Sequence, residues 1–240
     1  MHLSVIIPAY NEEKRLPKTL EEIGRYLRRQ KYDYEVIVVS DGSKDRTAEV
    51  VNELKARVAN LRLVDEKVNR GKGYCVRKGM LEARGEYRLF TDADNSTSID
   101  QIEKMWPWFE KGIDVVIGSR DIKGAVLDPP QPWLRQAVLG EGFKLFRKAV
   151  IGLWNVEDTQ CGFKCLSRKA AEDIFPKCLV KRFAFDPEIL VIAGKMGYKI
   201  KEIPVLWKND PESKVKLKGI LKMALDLFRI RFNLFKKAYG

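Results

Sequence analysis

Apolar residues recur along this chain in two alternating rhythms. Ser4-Val5-Ile6-Ile7 is an unbroken run of the kind buried on both faces of a sheet, and Pro8 is expected to close it. Leu16, Leu20, Ile23 and Leu27 then fall three or four residues apart, which predicts a helix from Leu16 to Gln30. The alternation repeats. Strands are predicted at 35–39, ended by Asp41-Gly42-Ser43, and at 61–64, 87–91 and 115–117. Helices are predicted at 46–58, 72–83 and 99–109. Strand–helix alternation means parallel pairing through right-handed crossovers. The first half therefore predicts an α/β fold built on an open, doubly wound, mostly parallel sheet.

The second half is less regular. Residues 119–132, with Gly124, Asp128, Pro129, Pro130 and Pro132, read as a long loop, and 133–151 as a helix. Asp186-Pro187-Glu188 predicts a helix start with Asp186 as N-cap, Gly197 its end, and 200–205 a further strand. The expected organisation is one domain over 1–210, then a basic amphipathic helix over 211–240.

Composition narrows the class. The 240 residues are 45% apolar and 32% charged, and no apolar run approaches the length that spans a bilayer. The opening residues lack a signal-peptide pattern. Four irregularly spaced cysteines (Cys75, Cys161, Cys165, Cys178) read as buried thiols rather than zinc ligands, so a reducing, cytoplasmic setting is expected. His2 is the single histidine, which excludes Ser-His-Asp hydrolysis. Residues 214–240 hold eight Lys/Arg and one acid, contributing seven of the net twelve positive charges. Such a tail suits an anionic membrane, a phosphate-bearing substrate or nucleic acid.

Ligands of open α/β sheets bind beyond the carboxyl ends of the strands. Those positions offer Pro8-Ala9-Tyr10-Asn11-Glu12, Asp41-Gly42-Ser43, Gly71-Lys72-Gly73, Asp92-Ala93-Asp94 and Gly118-Ser119-Arg120. Carboxylates, a Gly-Lys-Gly phosphate cradle and an arginine suit a nucleotide diphosphate held with a divalent cation. No Gly-x-Gly-x-x-Gly follows the first strand, and no Gly-x-x-x-x-Gly-Lys-Ser/Thr occurs, which sets aside dinucleotide and triphosphate folds.

Together with Asp158-Thr159-Gln160-Cys161-Gly162-Phe163-Lys164, these segments resemble the inverting glycosyltransferases of the GT-A fold, family 2. Gln131-Pro132-Trp133 and Arg182-Phe183-Ala184-Phe185-Asp186 look most like the dolichyl-phosphate glucosyltransferase branch, with the dolichyl-phosphate mannosyltransferases as cousins. The resemblance implies that Pro8, Tyr10 and Glu12 line the base and ribose pocket and that Asp41 accepts the uracil N3–H. Lys72 and Ala93 join the donor site, and Asp92 and Asp94 hold Mg²⁺ or Mn²⁺ against the diphosphate. Two positions depart from the family pattern: Ser40 replaces an acid, and Ser96 stands where mannosyl relatives place a metal-binding glutamine.

The expected reaction moves a hexose, glucose from UDP-glucose, with inversion onto a polyprenyl (dolichyl) phosphate. A phosphate monoester is mostly dianionic at neutral pH and needs no general base, only cations. Arg120, Arg135, Lys164 and Lys214 are the candidate anion partners, and Asp94, Arg120 and Asp158 the candidate catalytic set. Asp158 would be the base if the acceptor were a sugar hydroxyl of a glycolipid or polysaccharide. GDP-mannose as donor is a further alternative, and a basic nucleic-acid-binding protein the non-enzyme one. Trp106, Trp108 and Trp154 are expected in the core, and Trp133 near the acceptor. In the tail, Leu217, Ile220, Leu221, Ala224, Leu227, Phe228, Leu234 and Phe235 form a helical stripe, with Leu225, Ile230 and Phe232 outside it. This surplus predicts peripheral membrane association on the cytoplasmic face through residues 215–238.

Overall fold

A computed structural model describes residues 1–129, 142–208 and 217–239. Its order is β1 (Leu3–Ala9), α1 (Leu16–Leu27), β2 (Tyr34–Asp41), α2 (Thr47–Leu54), β3 (Leu61–Glu66), α3 (Lys72–Glu82) and β4 (Tyr87–Thr91). A 3₁₀ turn over Ile99–Lys104 leads into α4 (Trp106–Glu110), β5 (Val115–Ser119) and β6 (Val126–Asp128). There follow α5 (Gly142–Ile151), β7 (Phe163–Ser167), α6 (Arg168–Ile174), α7 (Phe185–Lys195), β8 (Ile200–Pro204), β9 (Leu206–Lys208) and α8 (Leu217–Phe235).

Seven strands form one sheet in the order β3-β2-β1-β4-β7-β5-β8. All pairings are parallel except those of β7, which runs antiparallel between β4 and β5. Alternate strand residues face opposite ways, and both faces are covered. Ile6, Ile37, Phe90 and Ile117 pack under α3, α6 and α7. Val5, Val36, Leu89 and Val116 pack under α1, α2 and the 3₁₀ turn. This two-sided burial explains the unbroken Val/Ile runs.

Several sequence expectations change. Pro8 does not close β1; it pairs with Val39 one residue before the strand ends, where its missing N–H forgoes a single ladder bond. The helix expected over 99–109 is broken before Pro107 into a 3₁₀ turn and α4. The loop after β5 contributes β6, which pairs with β9. The strand β7 was not expected, because Lys164 interrupts its apolar run. Asp186 is not the N-cap of α7, which begins at Phe185 after Ala184; its carboxylate has a stronger partner in an ammonium group.

Candidate active site at the strand ends

β1 and β4 lie side by side, yet the chain leaves β1 for β2 and leaves β4 for the other half of the sheet. Loops diverge at such a switch point and open a crevice there. On one wall the loops after β1 and β2 are sewn together. Asn11 N–H donates to Ser43 Oγ at 3.2 Å, Lys44 N–H to Asn11 Oδ1 at 2.8 Å and Glu12 N–H to Thr47 Oγ1 at 2.9 Å. The Glu12 carboxylate receives Arg15 through two bonds of 2.7 Å, while the Tyr10 ring is exposed beside it.

Asp41 ends β2 and is buried. Its Oδ1 accepts Arg70 N–H at 2.7 Å and its Oδ2 accepts Gly71 N–H at 2.8 Å. One carboxylate thus ties the end of β2 to the turn that opens α3. Gly71 has φ +107°, and a Cβ there would strike the Lys181 carbonyl, so this turn requires glycine. The next residue, Lys72, reaches across the crevice to Asp92 Oδ1 at 2.5 Å. Burial disfavours the Lys72 charge, but Asp92 and Asp186 outweigh it and hold the ammonium above its ordinary pKa.

Asp92 and Asp94 follow β4 directly. The Ala93 carbonyl between them accepts the Thr19 hydroxyl at 2.7 Å, and Asp94 Oδ1 accepts Ser96 N–H at 3.0 Å. Burial, then the neighbouring Asp92, pushes the Asp94 carboxyl up. Gly162 packs against Asp92 so closely that any Cβ would run into the carboxylate. Among the described residues no cluster of three or more His, Cys, Asp or Glu could hold a metal ion. A cation bridging diphosphate oxygens needs only one or two carboxylates, and the hard oxygens of Asp92 and Asp94 fit that requirement.

Arg120 and Asp158 form the second charged unit. The guanidinium forks onto the carboxylate (Nε to Oδ2 2.7 Å, Nη2 to Oδ1 3.0 Å), and Arg120 N–H adds a bond of 3.0 Å. Gln160 and Cys161 N–H groups also donate to Asp158, at 2.9 and 3.1 Å. Burial would raise this carboxyl, but Arg120 and the backbone donors reverse the sign and hold it well below the usual range. That corrects Asp158 as a candidate base: five hydrogen bonds stabilise its ionised form, so it has little affinity for a proton. It orients Arg120 instead.

Lys164 is also corrected. Its side chain has 0% exposure, and Nζ donates to Asp186 Oδ1 and to the Cys161 carbonyl, both at 2.5 Å. An ammonium sealed this way serves the fold beneath Asp92 and does not meet an acceptor phosphate. Arg135, Lys214 and Trp133 lie outside the described residues. Trp154, expected in the core, is 58% exposed, whereas Trp106 packs against His2, Tyr87 and Phe109. All four cysteines are free and buried, as expected. Asp186 was missed as the partner of Lys164. It is the second residue of α7, a place where one sequence does not distinguish an acid paired across the fold from an N-cap.

Residues 4–175 match the family described as Glycosyl transferase family 2. The chain belongs to that family. It is 41% identical over 96% of its length to a dolichyl-phosphate beta-glucosyltransferase of Trichomonas vaginalis, covering 73% of that protein. It is 39% identical to one of Dictyostelium discoideum (97% of this chain, 75% of that protein) and 38% identical to one of Homo sapiens (99% and 77%). Among solved structures it resembles mannosyl-3-phosphoglycerate synthase from Rubrobacter xylanophilus, at TM-score 0.71 and 17% identity, over 100% of this chain and 76% of that one. It also resembles Mycobacterium tuberculosis glucosyl-3-phosphoglycerate synthase, crystallised with Mn²⁺, UDP and glucosyl-3-phosphoglycerate, at TM-score 0.62 and 18% identity, over 95% and 78%. These likenesses establish the GT-A fold.

Proposed function

We propose that this glycosyltransferase moves glucose from UDP-glucose, with inversion, onto dolichyl phosphate. What carries the reading is the agreement of relatives: proteins 34–41% identical over nearly the whole chain share the description dolichyl-phosphate beta-glucosyltransferase. The site is consistent with it. Tyr10 and Glu12 line the nucleoside side, and Asp41 keeps acceptor capacity for a base N–H beyond its two backbone bonds. Lys72 and the N-terminal turn of α3 face the diphosphate. Asp92 and Asp94 would hold Mg²⁺ or Mn²⁺, which would neutralise charge developing on the leaving diphosphate.

In the transfer, a phosphate oxygen of the acceptor forms a bond to C1 of glucose as the bond from C1 to the UDP oxygen breaks. UDP departs with the electron pair. The nucleophile is already anionic, so no base is needed, in keeping with the ionised, arginine-bound Asp158. Arg120, half turned to its carboxylate, retains guanidinium donors for the acceptor phosphate.

The acceptor's polyprenyl chain lies in a membrane, and α8 provides a surface for one. Leu227 and Ile230 are buried, whereas Leu225 (69% exposed), Phe228, Phe232 and Phe235 (86% exposed) share the outward face. Ile230, expected outside the apolar stripe, is thus on the packed side, and Phe235, expected within it, faces out, while Phe228 is half exposed and meets Phe146 of α5 edge to face. Lys222, Arg229, Arg231 and Lys236 flank this face. Peripheral binding to an anionic membrane follows from apolar insertion plus lipid attraction. Among the described residues no helix is long and apolar enough to cross a membrane.

The test is direct. The protein is incubated with UDP-glucose, Mn²⁺ and dolichyl phosphate, and the lipid extract is analysed for glucosyl phosphodiester. Product from GDP-mannose in its place, or from a sugar hydroxyl acceptor, would replace this reading.

A further inference from the structure

The end of the chain returns to the core. After α8 the backbone turns at Lys237 (φ +54°), and Tyr239 inserts with its ring fully buried. Its hydroxyl donates to Glu188 Oε1 at 2.8 Å and accepts from Asn233 Nδ2 of α8 at 3.3 Å. Glu188, in α7, is itself fully buried, and its carboxylate accepts Leu179 N–H at 3.1 Å and Val180 N–H at 2.9 Å. One residue on, the Lys181 carbonyl accepts Tyr74 N–H in the first turn of α3 at 3.1 Å and closes the space beside Gly71. Gly71 is bound by Asp41, and Lys72 reaches Asp92. A continuous series of hydrogen bonds therefore runs from α8 through Tyr239, Glu188 and the 179–181 segment to the Gly-Lys-Gly turn.

The central links, Tyr239 to Glu188 and Val180 to Glu188, are buried and directional, which distinguishes this series from ordinary packing. Phe at position 239 would fill the same space, yet the residue present brings a hydroxyl to a carboxylate already held by two backbone donors. That hydroxyl donates to Oε1 of Glu188, the oxygen that also accepts Leu179 N–H. Removing it frees the carboxylate to shift, and the segment it holds forms one wall of the Gly71–Tyr74 turn. Low-dielectric surroundings make such a network sensitive to the loss of one member.

We propose that Tyr239 is a positioning residue for the donor-diphosphate turn, acting through Glu188 and the 179–181 segment. The inference rests on the reading of Lys72 and Asp92 as part of the donor site. It makes nucleotide affinity depend on a residue at the far end of the chain that touches no substrate.

The test uses the full chain, with UDP and Mn²⁺ titrated by calorimetry and amide exchange followed at Tyr74, Leu179 and Val180. Tyr239→Phe should weaken UDP binding about five- to tenfold, the equivalent of one buried hydrogen bond. It should also accelerate exchange at those three amides and raise the donor KM with kcat nearly unchanged. Asn233→Ala, which removes only the outer support of the hydroxyl, should move the same quantities less and in the same direction. Lys72→Ala separates the two ideas. If Lys72→Ala binds UDP as the wild type does, the donor-site reading fails. If Lys72→Ala weakens UDP while Tyr239→Phe and Asn233→Ala leave it unchanged and merely lower Tm, Tyr239 is structural and the proposal is overturned.

Discussion

Lys164 Nζ lies 2.5 Å from Asp186 Oδ1, in the middle of the sheet's buried face, with Phe90 stacked against the ammonium. The pair sits behind the candidate site: Lys164 also grips the Cys161 carbonyl, and the following Gly162 presses on Asp92. An ion pair taken out of water gains little over an apolar pair but is costly to halve. Lys164→Met should therefore destabilise by about 3–5 kcal/mol, because the buried Asp186 loses its hydrogen-bonded cation. Lys164→Met with Asp186→Leu should recover most of that. Urea unfolding of both variants decides it, and a double variant no more stable than the single would disprove the pairing argument.

The Arg120–Asp158 pair predicts a pH dependence. The folded pKa of Asp158 lies below its unfolded value near 4, so the pair's contribution is complete above about pH 4 and is lost as pH falls through the folded pKa. Glu157, drawn down to about 2 by hydrogen bonds from Lys144 and Lys148, adds in the same sense. Unfolding free energy should decline steeply below pH 4 in the wild type and less steeply in Asp158→Asn. Matching slopes would mean the carboxylate is not tied to folding as described.

Asp94 should matter for the reaction more than for the fold. It stands in a loop, held by the backbone N–H and side chain of Ser96, so Asp94→Ala should cost only about 1–2 kcal/mol of stability. Glucosyl transfer should fall at least a hundredfold, as for loss of one main electrostatic group. Transfer should also cease in EDTA and return with Mn²⁺. Activity that survives chelation would remove the metal from the reaction.

The structural duty of Asp41 and the binding duty proposed for it can be separated. Asp41→Asn keeps one acceptor oxygen but places an amide against Arg70 or Gly71 N–H, so UDP affinity should drop by about 1.5–3 kcal/mol. UDP should protect the wild type against thermal unfolding more than ADP does. In Asp41→Asn that preference should shrink, and an undiminished preference would place base recognition elsewhere.

For the proposed membrane face, replacing Phe228, Phe232 and Phe235 by Ser should leave Tm within a few degrees, since all three are more than half exposed and only Phe228 gives up a ring-to-ring contact, to Phe146. Sedimentation with vesicles containing phosphatidylserine should fall sharply, and transfer to long polyprenyl phosphate should slow more than transfer to a short, soluble isoprenyl phosphate. Equal slowing on both acceptors would assign the face to packing.

The sequence by itself determined the parallel half of the sheet, because Val5-Ile6-Ile7 and Val36-Ile37-Val38-Val39 bury both faces and leave no other arrangement for the helices between them. It also determined where the crevice lies, since Tyr10, Asp41, Lys72 and Asp92 follow strands or open a helix and so come to one edge. Only the tertiary structure decided the partners. Whether Lys164 meets substrate or Asp186, whether Asp158 takes a proton or holds Arg120, and which side of α8 is buried all depend on residues far away in the chain. β7 was illegible for the same reason: its lysine, Lys164, looks like a surface residue until Asp186, 22 positions later, is placed against it. Local pattern records which residues prefer burial or a particular backbone shape. Charge pairing in a low-dielectric interior is decided by what the fold brings within a few ångströms, and that information is spread over the whole chain.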